Sequence, residues 1–317
     1  MKSSYAVETV IRDGVEVFRL HGGPDTRAEV APSLGNNCFA FQSGLPVLEP
    51  VPFAEFLRKP TSYGIPLLFP FPNRVRDGAF TFQGRRFAVD PPRHGFVRDK
   101  PWKVLAQGAS PAEGAWIRCA LNAEDHESRI LGQFPFPFTV EVTWRVKDGA
   151  LHLAVLARNT GALDMPMGFG IHPYFRRPGR GTITIPAARR WELEDALPTG
   201  NVVNVDSRFD LREARDLEGL VLDDIYTGVR ADPDGLSRCH LDDAAAGVRT
   251  TVEFSREQFP HVVVYTPPAG RPAICIEPNT CPTDAFNLQA RGVNADVIVT
   301  RPGGKAALGV RIYSGPR

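Results

Sequence analysis

Cysteine is scarce and unpatterned: Cys38, Cys119, Cys239, Cys275 and Cys281 are the five in 317 residues. The count is odd, the spacing is scattered and no C-x-x-C occurs, which argues against a disulfide framework or a zinc knuckle and for reduced thiols. An excess of one charge is lacking as well, since 37 Lys and Arg face 36 Asp and Glu. Without a clustered basic surface, neither nucleic acid nor an anionic membrane is an expected partner. No apolar run approaches the roughly 20 residues that span a bilayer. Glu8, Arg12 and Asp13 fall where a signal peptide would need its apolar stretch, so the expected compartment is the cytoplasm. The loud chemical motifs are missing too: no G-x-x-x-x-G-K-[ST], no G-x-G-x-x-G, no H-E-x-x-H and no G-x-S-x-G. Nucleotide hydrolysis, a Rossmann cofactor and common metalloprotease chemistry lose weight accordingly.

Long helical periodicity is also absent. The best helical candidate, Asp210–Leu217, is too short to organise a fold. What the chain has instead is punctuation and alternation. Its 29 glycines and 29 prolines make up about 18% of the residues, against a usual sum of about 12%. Val140, Val142, Trp144 and Val146 alternate with Thr139, Glu141, Thr143 and Arg145, the pattern of a half-buried strand. Asp148-Gly149 follows, and then Leu151, Leu153 and Val155 alternate again, which marks a hairpin. Phe80, Phe82 and Phe87 around Gln83-Gly84 mark another. Strand signals continue at 182–185, 252–254, 262–265, 297–300 and 307–313. Residues 1–317 therefore read as one large all-β domain, an antiparallel β-sandwich with less than about 15% helix against a base rate near a third.

Four quieter segments can carry chemistry. The first, Gly64 to Gly78, is a proline-rich apolar loop with the pair Asn73-Arg74; an amide and a donor fork together suit a ligand rich in hydroxyls. The second and third, Arg93-His94-Gly95-Phe96 and Gly170-Ile-His172-Pro-Tyr-Phe175, each set a histidine beside glycine and aromatic residues. Glycine allows close backbone approach to a ligand, while a histidine in such company is as often a satisfied structural residue. In the fourth, Glu277 ends an apolar strand before Pro278. A part-buried carboxylate there would have a raised pKa and could serve as a base; pairing to an arginine is the alternative.

These segments, in this order, resemble the aldose 1-epimerase (mutarotase) family. Asn73-Arg74 with Asp77-Gly78, His94-Gly95-Phe96 ahead of Trp102, Gly170-Ile-His172-Pro-Tyr-Phe175 and Glu277-Pro278 carry the resemblance, and Phe134-Pro-Phe-Pro-Phe138 fits the divergent bacterial members. The resemblance implies a galactose mutarotase-like supersandwich, a small-molecule sugar substrate, and no cofactor and no metal. It implies Glu277 as the base on the anomeric hydroxyl, His172 as the acid on the ring oxygen, and His94 as a hydrogen-bonding partner of the same oxygen region. Asn73, Arg74 and Asp223 would bind sugar hydroxyls, with Asp224 the competitor for the last place. One departure stands out: Val263 replaces a glutamine that precedes the Tyr-Thr pair in galactose mutarotases. Arg74, Arg76 and Arg98 keep a sugar phosphate, and hence a hexose-6-phosphate mutarotase, among the alternatives. A non-catalytic carbohydrate-binding or sensor protein is another, and a two-carboxylate glycosidase using Glu277 and Asp223 a third. The expected assembly is a monomer or a homodimer.

Overall fold

Alternation becomes burial wherever the sequence shows it. In a computed structural model, which describes residues 5–268 and 270–317, the strand Phe138–Lys147 buries every second residue, and Val140, Val142, Trp144 and Val146 are fully inaccessible. Asp148 and Gly149 both take positive φ and turn the chain into the strand Ala150–Asn159, the geometry that two-residue hairpins require. Gln83 and Gly84 do the same between Ala79–Phe82 and Arg85–Ala88.

These hairpins assemble into stacked sheets. A five-stranded sheet covers Tyr5 to Pro46. A nine-stranded sheet runs from Arg215–Asp216 at one edge to Lys103–Ser110 at the other, with the last strand, Lys305–Pro316, between Val248–Ser255 and Ala150–Asn159. An eight-stranded sheet contains, in neighbouring order, Asp223–Val229, His261–Tyr265 and Ala273–Asn279, then the short strands Gly170–Ile171 and Leu67–Leu68. All strand pairings in these sheets are antiparallel. The apolar faces of the two large sheets meet in one buried cluster, with Val142, Trp144, Val252 and Ile312 from one and Val262, Val264, Ile274 and Ile276 from the other. Strand makes up 52% of the chain and helix 7%. No helix among the described residues is long and apolar enough to cross a membrane. All five cysteines are buried free thiols.

Two expectations need correction. Residues 210–217 are not helical. The Asp210 carboxylate accepts from the Arg212 backbone N–H at 3.0 Å and from its guanidinium, a local turn that competes with helix, and Arg215–Asp216 joins the edge of the nine-stranded sheet. The α-helices among the described residues, Phe53–Arg58 and Ala285–Ala290, are single short segments. Nor does Glu277 end its strand, because Pro278 and Asn279 continue it and pair with Val262 and His261.

The loops that bear on the pocket described below are fixed to each other by backbone. The His94 N–H donates to the Asn73 carbonyl at 2.7 Å, and the Phe96 N–H to the Phe69 carbonyl at 2.8 Å. Gly95, at φ +66°, passes so close that a Cβ there would lie 1.9 Å from the Phe69 carbonyl oxygen. Backbone cannot yield as a flexible side chain would, and L-residues are strained at this φ. Gly95→Ala is therefore expected to cost more than about 1 kcal/mol of stability, read as a lower urea midpoint, whereas Gly84→Ala, open to solvent at its turn, should cost less.

Candidate active site

The site is produced by strand register. Gly170 pairs with Asn279 and Tyr174 with Cys275, which carries His172 to the position opposite Glu277. Between those two pairings the ladder is interrupted, and prolines stand at 173 and 278, neither of which has an N–H to give. Along Ala273–Asn279, Ile274 and Ile276 face the core, so Cys275 and Glu277 face the other way. Val263 pairs with Glu277, and Asp223 pairs with Tyr265. The same face thus collects Asp223 and Tyr265 in one row across adjacent strands and Val263, Glu277 and His172 in the next.

The two paired loops complete the enclosure. Asn73, Arg74, Arg93, His94, His172, Asp223, Val263, Tyr265 and Glu277 line a cavity of about 190 Å³, below the roughly 300–1,000 Å³ of sites for drug-sized ligands. Depressions of about 590 and 810 Å³ lie elsewhere, but neither contains a histidine or a buried carboxylate. All six residues singled out from the sequence, Asn73, Arg74, His94, His172, Asp223 and Glu277, converge here. Asp224 does not: its side chain belongs to the opposite face, 3.7 Å from Arg190. Arg76 is also elsewhere, held 3.5 Å from Asp284, and Arg98 lines the neighbouring 590 Å³ depression. The arginine cluster read from the sequence is therefore dispersed. Arg93 and Tyr265 were the residues without a forecast place; Arg93 adjoins His94, and the Tyr265 alternation with Val263 was the available signal.

At the floor, His172 Nε2 lies 3.2 Å from Glu277 Oε1, with the two residues 6% and 2% exposed. Burial raises the Glu277 carboxyl well above its ordinary range, with Asp223 adding to the effect. Burial lowers the His172 imidazole, with the Arg93 guanidinium reinforcing the shift. The physical cause is common to both: each charged form loses water. Tyr174 stacks on the His172 ring, centroids 4.7 Å apart at 17°, and the Arg271 guanidinium covers Tyr174 at 4.3 Å. The imidazole is thereby fixed in orientation.

Above the pair, Arg74 reaches Asp223 at 3.5 Å and donates to the Asn73 side-chain oxygen at 3.1 Å. These three polar groups face one rim. His94 Nε2 accepts from the Arg93 guanidinium at 3.0 Å, which leaves Nδ1 as the protonated nitrogen. Burial lowers the His94 pKa well below its ordinary value, and the neighbouring His172 adds to the shift. His94 is accordingly a neutral N–H donor, its ring 5.5 Å from that of His172. Nitrogen-detected NMR should show His94 as the neutral Nδ1–H tautomer even at pH 6, below the ordinary histidine value near 6.5; an imidazolium signal at that pH would contradict the assignment.

Comparison with known proteins agrees with this architecture. The aldose 1-epimerase family model matches residues 41–312. A galactose mutarotase-like protein from Clostridium acetobutylicum superimposes with a TM-score of 0.89 at 19% identity, over 99% of both chains. A Synechocystis sp. PCC 6803 protein gives 0.75 at 23% identity, over 100% of this chain and 99% of that one. The galactose 1-epimerase of Lactobacillus acidophilus NCFM gives 0.77 at 15% identity, over 99% of both. At these identities the structures show a shared fold, while the family model spans most of the sequence: the chain belongs to the aldose 1-epimerase family.

Proposed function

We propose that this protein is an aldose 1-epimerase that interconverts the α and β anomers of a monosaccharide by acid–base ring opening and closure. The observation that carries the reading is the buried contact between His172 and Glu277 at the base of a monosaccharide-sized cavity rimmed by Asn73, Arg74 and Asp223. The anomeric hydroxyl and the ring oxygen are both attached to C1. A base and an acid that serve them must therefore be near neighbours, as these two are.

The proton inventory follows. Glu277 removes the proton from the anomeric hydroxyl while His172 delivers one to the ring oxygen, and the C1–O5 bond breaks to give the open-chain aldehyde. The reactive form of the pair, carboxylate with imidazolium, becomes neutral in this step. Burial opposes the charged forms of both residues, so the low-dielectric floor favours the pair's state in the open-chain complex. Rotation about C1–C2 presents the other face of the aldehyde. Closure then returns one proton from Glu277 and takes one to His172. No cofactor is needed for these steps. His94 adds a neutral N–H donor to the oxygen region, and Asn73, Arg74 and Asp223 hold hydroxyls. Val263, beside Glu277 in the sheet, offers no hydrogen bond, so ligand polarity is met mainly from the rim.

A second reading, a phosphorylated aldose as substrate, is favoured by Arg93 and Arg98. Both act electrostatically on His172, and neither enters an ion pair among the described residues. Anomer exchange of free aldoses and of their 6-phosphates, followed by NMR, separates the two readings and also separates either from a binder that shows contact without exchange.

Glu277→Gln and His172→Asn are each expected to fold and to slow exchange by at least about 10²-fold, the low end of one general acid–base contribution. Near-wild-type exchange in Glu277→Gln would remove the base assignment. Arg74→Ala should raise KM more than it lowers kcat, because its contacts are the same in ground and transition states.

The wild-type pH profile should be bell-shaped, since activity requires one proton in the pair. The second proton goes onto an imidazole whose affinity is depressed, so the acid limb lies below the ordinary histidine value. The last proton leaves a carboxyl whose affinity is raised, so the basic limb lies above the ordinary carboxylate value. Both limbs belong to the coupled pair. An acid limb at or above about pH 6.5 would contradict the depressed imidazole affinity.

A further inference from the structure

One group on the sheet face that bears the site is not used by the acid–base reaction. Cys275 precedes Glu277 by two residues and shares its face, which sets the thiol beside the catalytic pair. Ligand atoms of His172, Cys275 and Glu277 all lie within 4.8 Å of one another, and all three residues are buried. The sequence spacing could not show this cluster. Cys275 and Glu277 are brought together by the period of a strand, and His172 joins them by register from about a hundred residues away.

We propose that His172, Cys275 and Glu277 form a binding site for a zinc-class divalent cation, and that such an ion inhibits the enzyme by occupying the proton-transfer pair; the inhibition, though not the binding, rests on the epimerase reading. The donor set is one imidazole nitrogen, one thiolate and one carboxylate oxygen. Such borderline and soft ligands suit zinc or cadmium rather than magnesium or calcium, which prefer all-oxygen shells. Three protein ligands leave a fourth position open, and the face of the cluster that is not walled by protein is the cavity that His172 and Glu277 line.

The charge balance also fits the surroundings. Without metal, burial holds the thiol and the carboxyl toward their protonated forms and the imidazole toward its neutral one. A divalent cation would release one proton from Cys275 and one from Glu277 to solvent and would coordinate the neutral imidazole. Dication, thiolate and carboxylate then sum to zero, a neutral unit in a site where isolated charges are costly. Occupancy would remove both the base and the acid from the sugar, so inhibition should be competitive with substrate.

Cadmium, whose thiolate complexes absorb in the ultraviolet, tests binding without any sugar present. Titration of the chelator-treated protein should produce a cadmium–thiolate charge-transfer band at one equivalent, and Cys275→Ala should abolish that band although the other four cysteines remain. Cys275→Ser, which preserves volume, serves the same comparison where the alanine variant does not fold. A band retained in the variant, or no band in the wild type, overturns the site. For inhibition, zinc should slow anomer exchange and a chelator should restore it. Cys275→Ala, with metal-free exchange unchanged, should need at least about tenfold more zinc for the same inhibition, as expected for losing a coordination partner. An equal zinc sensitivity in the variant overturns the inhibitory role. Because the cadmium band needs no turnover, absence of epimerase activity would leave the metal site standing, and absence of the band would leave the epimerase reading intact.

Discussion

Everything in the cavity hangs on a gap in one ladder. The strand Ala273–Asn279 lies inside the eight-stranded sheet, yet it carries a proline and a glutamate, residues that a central strand ordinarily rejects. It can do so because its neighbour is divided into Gly170–Ile171 and Tyr174–Arg176. At the division, Pro173 and Pro278 have no N–H to leave unpaired, and His172 and Glu277 meet side chain to side chain. The His172 N–H is instead satisfied by the Pro66 carbonyl at 3.0 Å on the far side. Gly170 makes this close packing feasible, since a Cβ there would fall 1.7 Å from the Asn279 side-chain oxygen. A sheet interior thus supplies rigidity on both sides of a pair that could not be held as firmly by loops alone.

How much of this is legible in sequence follows from which interactions are local. Asp148-Gly149 announces its hairpin because two positive φ angles are a property of two residues. The alternation from Thr139 to Val146 announces its strand for a similar reason. The family motifs also mark five of the nine cavity residues, Asn73, Arg74, His94, His172 and Glu277, since each is embedded in a short segment. What the segments do not carry is register. Glu277 reads as a strand end because a proline follows it, whereas the strand runs on to Asn279, which pairs with His261 on one side and Gly170 on the other. Spacing favours Asp223 with Asp224 beside it as the competitor, and alternation in a paired strand decides between them, sending Asp223 to the cavity and Asp224 toward Arg190. Arg74 and Arg76 lie two apart and read as one cluster. Asp77 at φ 54° and the Arg76 backbone bond to Asp284 divert the chain, leaving only Arg74 at the rim.

Burial and charge do different work on the pair. Loss of water acts oppositely on the two groups, raising the carboxyl and lowering the imidazole, so it governs which of them holds a shared proton. The surrounding arginines act in one direction on both. Arg93 lowers His172 and also lowers Glu277, with Arg74 assisting at the carboxyl and Arg98 and Arg271 at the imidazole. Asp223 opposes them at Glu277. The rim charges therefore govern how many protons the pair holds, while depth governs where the proton resides. A sugar that engages Arg74 and Asp223 through its hydroxyls alters the first balance, and its displacement of water deepens the second. Ligand binding and proton position are in this way linked through the same few residues, and a change at the rim, far from either transferred proton, would be felt in the pH dependence of the floor.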